Sequence, residues 1–247
     1  MRTIAVYSIK GGVGKTATCV NLAYLASCTS SRVLLCDLDP QGSATFYFRI
    51  RPPKKLRARK LFMGRNSLDK QIRGTDYENL DLLPSNLSFR NLDLTLSDGK
   101  KPKRRLEKAF QSLENEYDLL FLDCPPNITL VSENVFRMAD LILVPVIPTT
   151  LSMLTYEKLI RFFQDRQLDL TKIKAFFSMV EMRKRLHRDI MRQVTEQDQW
   201  LLRSHIPYLA DIERMGTQRA PVPCYRPQSV AARSYELLWE ELARLLC

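Results

Sequence analysis
The sequence predicts an α/β fold: a mostly parallel, twisted sheet with helices on both faces. Three observations carry this. Short runs that are apolar throughout recur along the chain, as strands covered on both faces require. Amphipathic stretches of helical period alternate with them. A glycine-rich turn, Gly11–Gly14, separates the first run from the first amphipathic stretch.

The elements follow in order. "TIAVYSI" (Thr3–Ile9) is a buried strand, and "KTATCVNLAYLASC" (Lys15–Cys28) the helix after it, with Val20, Ala23 and Ala26 facing the core. "RVLLCDLD" (Arg32–Asp39) is a second strand ending in carboxylates; "YDLLFLDCPP" (Tyr117–Pro126), "LILVPVIPT" (Leu141–Thr149) and "KAFFSMV" (Lys174–Val180) are three more. "SYELLWEELARLLC" closes the chain as an amphipathic helix. The least regular part is the stretch 49–108, a basic insert that reads equally as loops or as helices at the sheet margin. "RIRPPKKLRARK" (Arg49–Lys60) holds seven Lys/Arg and no acid, and "GKKPKRRLEK" (Gly99–Lys108) six more. No internal repeat and no clean boundary appears, so residues 1–247 are expected to form a single domain.

With 247 residues, 45% hydrophobic and 26% charged, the chain is sized and composed like a soluble globular protein. No apolar run approaches the roughly 20 residues that cross a bilayer. The start of the chain runs straight into a strand and does not read as a signal peptide, so a cytoplasmic location is expected. The six cysteines, Cys19, Cys28, Cys36, Cys124, Cys224 and Cys247, form no C-x-x-C pair and no metal-ligand spacing. Most read as small buried hydrophobes in a reducing compartment. The net charge of +11 points to a polyanionic partner, most often nucleic acid, although charge also serves solubility alone.

The chemistry concentrates at "SIKGGVGKTA", Ser8–Ala17. The usual phosphate-binding loop is G-x-x-x-x-G-K-[ST]. Here Ile9 stands at the first glycine position and is followed by a second lysine, Lys10. Gly11, Gly12 and Gly14, with Val13 among them, let the backbone approach phosphate closely. Their N–H groups and those opening the helix at Lys15, Thr16 and Ala17 form an anion nest. Lys15 is placed to reach the β- and γ-phosphates of a nucleotide, and Thr16 to offer its hydroxyl to Mg2+. Asp123, at a strand end, fits the carboxylate that holds Mg2+ or its water shell, or else caps the following helix. Asp37 and Asp39 end another strand and face the same crevice. One supports the metal and the other orients an attacking water; Asp39 also reads as a turn-starter before Pro40. Lys10, taken alone, reads as a solvated loop lysine.

Taken together, "KGGVGKT", "LLCDLDPQGSAT", "LLFLDCPP" and "IPTTLSMLTYEKL" resemble the ParA/MinD family of deviant-Walker P-loop ATPases, most closely its ParA branch. The likeness continues through "FFSMVEMRKRLHRDI" and "IPYLADIERMGTQRAPV" to the last helix, and skips only the 49–108 stretch. It implies a P-loop NTPase fold, ATP and Mg2+ as ligands, and an ATP-dependent homodimer in which Lys10 reaches the nucleotide of the other subunit. It implies slow hydrolysis with Lys10, Lys15 and Asp39 as catalytic groups, and Thr16, Asp37 and Asp123 around the metal. It places adenine at Met179 and Pro207.

The same resemblance implies nonspecific DNA binding, nucleoid association, and the positioning or partitioning of a plasmid, chromosome or protein cargo, with a ParB-like or adaptor protein as a possible partner. Arg183, Lys184, Arg185 and Arg188 form a compact basic cluster, and Arg214 and Arg219 add charge further on, with Arg226 and Arg233 beyond them. Phosphate contacts need no base code. The chain departs from the family at Asp211, where relatives often carry arginines. No helix-turn-helix precedes Arg2, so operator-specific binding is not expected.

Two other readings make demands on the sequence. A MinD-like, ATP-dependent membrane switch requires a basic amphipathic C-terminal helix, whereas the tail carries Glu236, Glu240 and Glu241 against Arg244. An iron–sulfur carrier requires more cysteines than Cys124.

Overall fold
The computed structural model describes residues 1–29, 31–52, 62, 68–98, 102–195 and 198–246. In chain order the elements are β1 (Arg2–Val6), α1 (Lys15–Ser27), β2 (Val33–Asp37), α2 (Ser43–Tyr47), β3 (Arg73–Gly74), β4 (Leu80–Leu83), α3 (Leu92–Ser97) and α4 (Arg105–Phe110). They continue with β5 (Leu119–Asp123), α5 (Leu130–Met138), β6 (Leu141–Val146), α6 (Thr150–Asp165), β7 (Ile173–Val180), α7 (Arg185–Thr195) and β8 (Leu201–Pro207). Three short helices, α8 (Ala210–Glu213), α9 (Met215–Gln218) and α10 (Val222–Tyr225), lead to the long α11 (Val230–Leu246).

The eight strands among the described residues form one sheet in the order β3-β4-β2-β5-β1-β6-β7-β8. Every pairing is parallel except that of β3 with β4. After β1 the chain runs outward to β2 and β4, returns to insert β5 beside β1, and then builds β6, β7 and β8 on the other side. The direction of winding therefore reverses at β1, and the crevice beyond its carboxyl end is where such sheets bind ligands.

Strand alternation sorts the core into two layers. Ala5, Leu34, Leu120, Leu122 and Ile142 face one side and pack with Val135, Phe136, Leu159 and Phe163 of α5 and α6. Ile4, Val6, Leu35, Phe121 and Leu143 face the other and pack with Val20, Ala23 and Ala26 of α1 and Leu238, Trp239 and Leu242 of α11. Val20, Ala23 and Ala26 are fully buried as expected. α11 is likewise a core helix, with Ala231, Ala232 and Tyr235 also inside. Its Glu241 carboxylate accepts from the Arg203 and Ser204 amides of β8 at 2.8 and 2.9 Å.

The five expected strands are present, each shorter than its apolar run except the last, β7, which begins one residue earlier. Three more, β3, β4 and β8, join the sheet. Among its described residues the basic insert contains β3, β4, α3 and the start of α4. Most of Arg49–Lys60 and the segment 99–101 lie outside the described residues, as does Cys247. Cys19, Cys36 and Cys124 are buried, Cys224 is half-buried and Cys28 is exposed. Among the described residues no helix is long and apolar enough to cross a membrane.

Candidate nucleotide and metal site
β1 ends at Val6, and the following turn carries the chain into α1. Gly12 and Gly14 adopt φ of 69° and 88°, a region that L side chains rarely enter. At Gly14 a Cβ would also stand 3.1 Å from the Ser178 Oγ. Gly14 caps α1 without any side-chain hydrogen bond, and the first turn holds no acid. The amides opening the helix are thus left for an anion, with the helix dipole behind them.

Lys15 is 7% exposed. Its Nζ donates to the Lys10 carbonyl at 3.2 Å, which bends the lysine back over the loop. Burial lowers its pKa, while Asp123, Cys124 and Asp39 favour the charged form. The Lys10 side chain is half-buried and makes no ion pair among the described residues.

The two strand-end carboxylates meet because β2 and β5 are paired with Asp37 opposite Asp123, and Asp123 is also opposite Val6 of β1. Both are fully buried. Asp37 Oδ2 accepts from the Thr45 amide at 2.8 Å and the Thr45 hydroxyl at 2.7 Å; Oδ1 accepts from the Asp39 amide at 3.3 Å. Burial pushes Asp37 up to about 7, against those hydrogen bonds. Burial drives Asp123 well above the usual carboxylate range and Asp37 adds to it, while the nearby Thr16 hydroxyl and Lys15 pull it back. Neither oxygen of Asp123 has a hydrogen-bond partner. Unpaired buried carboxylates are costly, and two on adjacent strands call for positive charge between them.

These oxygen donors, with the Thr16 hydroxyl, fit a hard cation such as Mg2+. Among the described residues no cluster of three His, Cys, Asp or Glu could hold a metal alone. Mg2+ is commonly bound by one or two carboxylates together with substrate phosphates. Cys124 is buried beside this site and its thiol contacts the Leu122 carbonyl at 3.6 Å. Burial pushes that thiol up, the reverse of what a cluster ligand needs.

A cleft of about 360 Å³ runs from the loop along the carboxyl ends of β7 and β8. Gly11, Gly12, Gly14, Lys15, Thr16, Ala17 and Asp39 line one end, and Met179 and Pro207 lie along it. Met179 holds a φ of 53°, where the register between β7 and β8 shifts. Val13 is buried beneath the loop. Sequence reasoning did not find Tyr47, Tyr208, Ile212 and Tyr235, which also wall the cleft, or Thr45 and Ser85, which brace the carboxylates. "GSAT" after "DLDPQ" carried a signal for Thr45, since a hydroxyl at a helix start beside a strand-end Asp is an available donor.

The basic residues divide. Arg183 is exposed and its side chain makes no ion pair among the described residues. Lys184 pairs with Glu181 and Arg185 with Asp189. Arg188 donates to the Met182 and Arg183 carbonyls at 2.7 and 3.2 Å, bracing the turn before α7. Arg214 and Arg226 both pair with Asp211, at 3.6 and 3.5 Å. Arg219 lies 4.5 Å over the Phe46 ring and donates to the Phe46 carbonyl. The two basic segments leave adjacent strand ends, tied by the Tyr208 amide donating to the Val180 carbonyl at 3.0 Å.

A family model described as an AAA domain matches residues 1–177. The chain is 25% identical over 246 residues to the chromosome-partitioning ATPase Soj of Treponema pallidum, covering 98% of this chain and 96% of that one. It is 29% identical over 253 residues to the virulence plasmid ParA family protein pGP5-D of Chlamydia psittaci, covering 100% and 96%. Among solved structures, a putative plasmid partition protein of Borrelia burgdorferi bound to AMPPNP superposes with a TM-score of 0.85 at 23% identity, over 99% of both chains. Cobyrinic acid a,c-diamide synthase from Mycobacterium smegmatis, with bound ATP analog and magnesium, gives 0.80 at 25% identity, over 99% and 95%. The glycine loop with its two lysines, the paired strand-end carboxylates and these similarities agree: the chain belongs to the ParA/MinD family of P-loop ATPases.

Proposed function
We propose that this chain is a ParA-like ATPase. It binds Mg2+ and ATP at the loop, pairs with a second copy through Lys10, and in that state holds DNA nonspecifically. Slow hydrolysis of ATP by water to ADP and phosphate then releases the pair, in the cytoplasm and on the nucleoid, to position or partition a plasmid, chromosome or protein cargo. The observation that carries the reading is the pair of buried carboxylates, Asp37 and Asp123, beside an uncapped helix start.

Lys15 and the loop amides hold the phosphates. Thr16, Asp37 and Asp123 hold Mg2+, which when bound neutralises charge on the β- and γ-oxygens. Asp39 orients the attacking water. Lys10 is half-buried at the loop and makes no ion pair among the described residues, as suits a cation that serves a partner's γ-phosphate. Met179 and Pro207 border adenine. DNA phosphates are met by Arg183, with Lys184, Arg185, Arg188, Arg214 and Arg219 contributing to the surrounding field. The apolar face of α11 is occupied in the core, which favours DNA over a membrane.

Released phosphate and light-scattering mass test this together. Wild-type chain should turn over ATP slowly and dimerise with Mg-ATP but not Mg-ADP. Lys10→Ala should bind ATP and stay monomeric, and Asp39→Ala should accumulate as the ATP dimer. Undiminished dimerisation of Lys10→Ala, or normal turnover of Asp39→Ala, would overturn the assignments.

A further inference from the structure
Asp39 is held from both sides of its Cα. Its amide donates to Asp37 Oδ1 at 3.3 Å, and its carbonyl accepts from the Ser85 hydroxyl at 2.6 Å and from the Gly42 amide at 2.9 Å. Ser85 is 2% exposed and lies two residues beyond β4. Its own amide donates at 3.0 Å to the Thr45 hydroxyl, which donates to Asp37 Oδ2 at 2.7 Å. The hydrogen bonds therefore close a ring, Asp37–Thr45–Ser85–Asp39, that ties β2, α2 and the end of β4 together.

A carboxylate that must orient one water needs its backbone fixed, since misplacement by about 1 Å costs on the order of a hundredfold in rate. Both peptide groups flanking the Asp39 Cα are pinned, so the direction of its Cα–Cβ bond is set, and from there its Oδ1 accepts from the Gln41 amide at 2.9 Å. Of those bonds, only the one from Ser85 comes from outside the 37–45 segment. Ser85 also reaches the site from the basic insert, and does not line the cleft along which the phosphates bind. We propose that Ser85 is a positioning residue for Asp39, which fixes the water-orienting carboxylate through its main chain without touching nucleotide. This rests on the hydrolysis reading above.

The role predicts that Ser85 affects turnover and leaves ATP binding alone. Loss of one hydrogen bond of ordinary net strength corresponds to a fall of about 5- to 10-fold in kcat. The experiment compares full-length wild type, Ser85→Ala and Ser85→Thr by phosphate release, by affinity for a fluorescent ATP analogue, and by amide hydrogen exchange without nucleotide. Ser85→Ala should lower kcat by that factor, keep KM and analogue affinity within about twofold, and speed exchange in residues 39–45 alone. Ser85→Thr, which keeps the hydroxyl, should restore all three. An unchanged kcat, a matching loss of analogue affinity, or faster exchange spread over the sheet would overturn the proposal. If the wild type releases no phosphate, the hydrolysis reading fails, while exchange confined to 39–45 still decides whether Ser85 holds Asp39.

Discussion

Asp37→Asn should stabilise the nucleotide-free protein while disabling it. The carboxyl is fully buried and burial raises it from the ordinary 3.8 to about 7. Between those values the folded chain binds its proton more tightly than the unfolded chain does. Stability therefore falls as pH rises through that window, is unpenalised below 3.8 and is fully penalised above 7. At 1.36 kcal/mol for each unit, the ceiling is about 4 kcal/mol at pH 8. An amide escapes this penalty and can still accept both Thr45 donors, but it turns an N–H toward the Asp39 amide. That mismatch costs about 1–2 kcal/mol. The net gain is about 2 kcal/mol at pH 8, or a Tm higher by about 4–8 °C for a chain of this size. At pH 4.5 the penalty has shrunk to about 1 kcal/mol, which the mismatch offsets, and the variant should melt at or below wild type. Differential scanning fluorimetry in EDTA at pH 4.5 and 8 measures both. An equal Tm difference at the two pH values, or a lower Tm at pH 8, would refute the argument. Adding Mg-ATP should raise the Tm of wild type only.

Two further outcomes are expected. Asn21 is fully buried in α1 and donates to Ala17 O and Met215 Sδ, while its Oδ1 accepts from the Val222 amide at 2.7 Å. Asn21→Ala leaves that amide unpaired and should cost about 2 kcal/mol, read as a lower urea midpoint with an unchanged m-value. Arg183→Ala should weaken ATP-dependent DNA binding equally across sequences and reduce the slope of log K against log salt by about 1. An unaltered slope in fluorescence anisotropy would remove Arg183 from the interface.

Much of the fold was legible because a parallel sheet covered on both faces writes itself as uniform apolar runs. "TIAV", "VLLCD" and "LLFLD" became β1, β2 and β5, and their register brought Asp37 opposite Asp123. β8 was not legible: it is an outer strand in which buried Leu202 and Ile206 alternate with exposed Arg203 and His205. β4 was hidden in a polar neighbourhood and spans only Leu80–Leu83. Site residues in the loop and at strand ends could be named because their chemistry is local in sequence. Ser85 could not, because its relation to Asp39 spans 46 positions and exists only once β4 lies beside β2. The basic residues show the opposite limit. Composition marked Arg188, Arg214 and Arg219 as a charged surface, but the carbonyls, Asp211 and Phe46 that engage them are set by tertiary packing.

The margins of the sheet bear on how copies of this chain can meet. An exposed strand edge is a template for another strand. At one margin β3 is two residues long and antiparallel to its neighbour. At the other, the Glu241 carboxylate takes the Arg203 and Ser204 amides. Among the described residues, one rim is thus very short and the other has two of its amides engaged by a side chain, features that blunt sheet-to-sheet extension. The proposed self-association through Lys10 would instead use the carboxyl-end surface where the glycine loop lies, and there it would depend on what the loop holds.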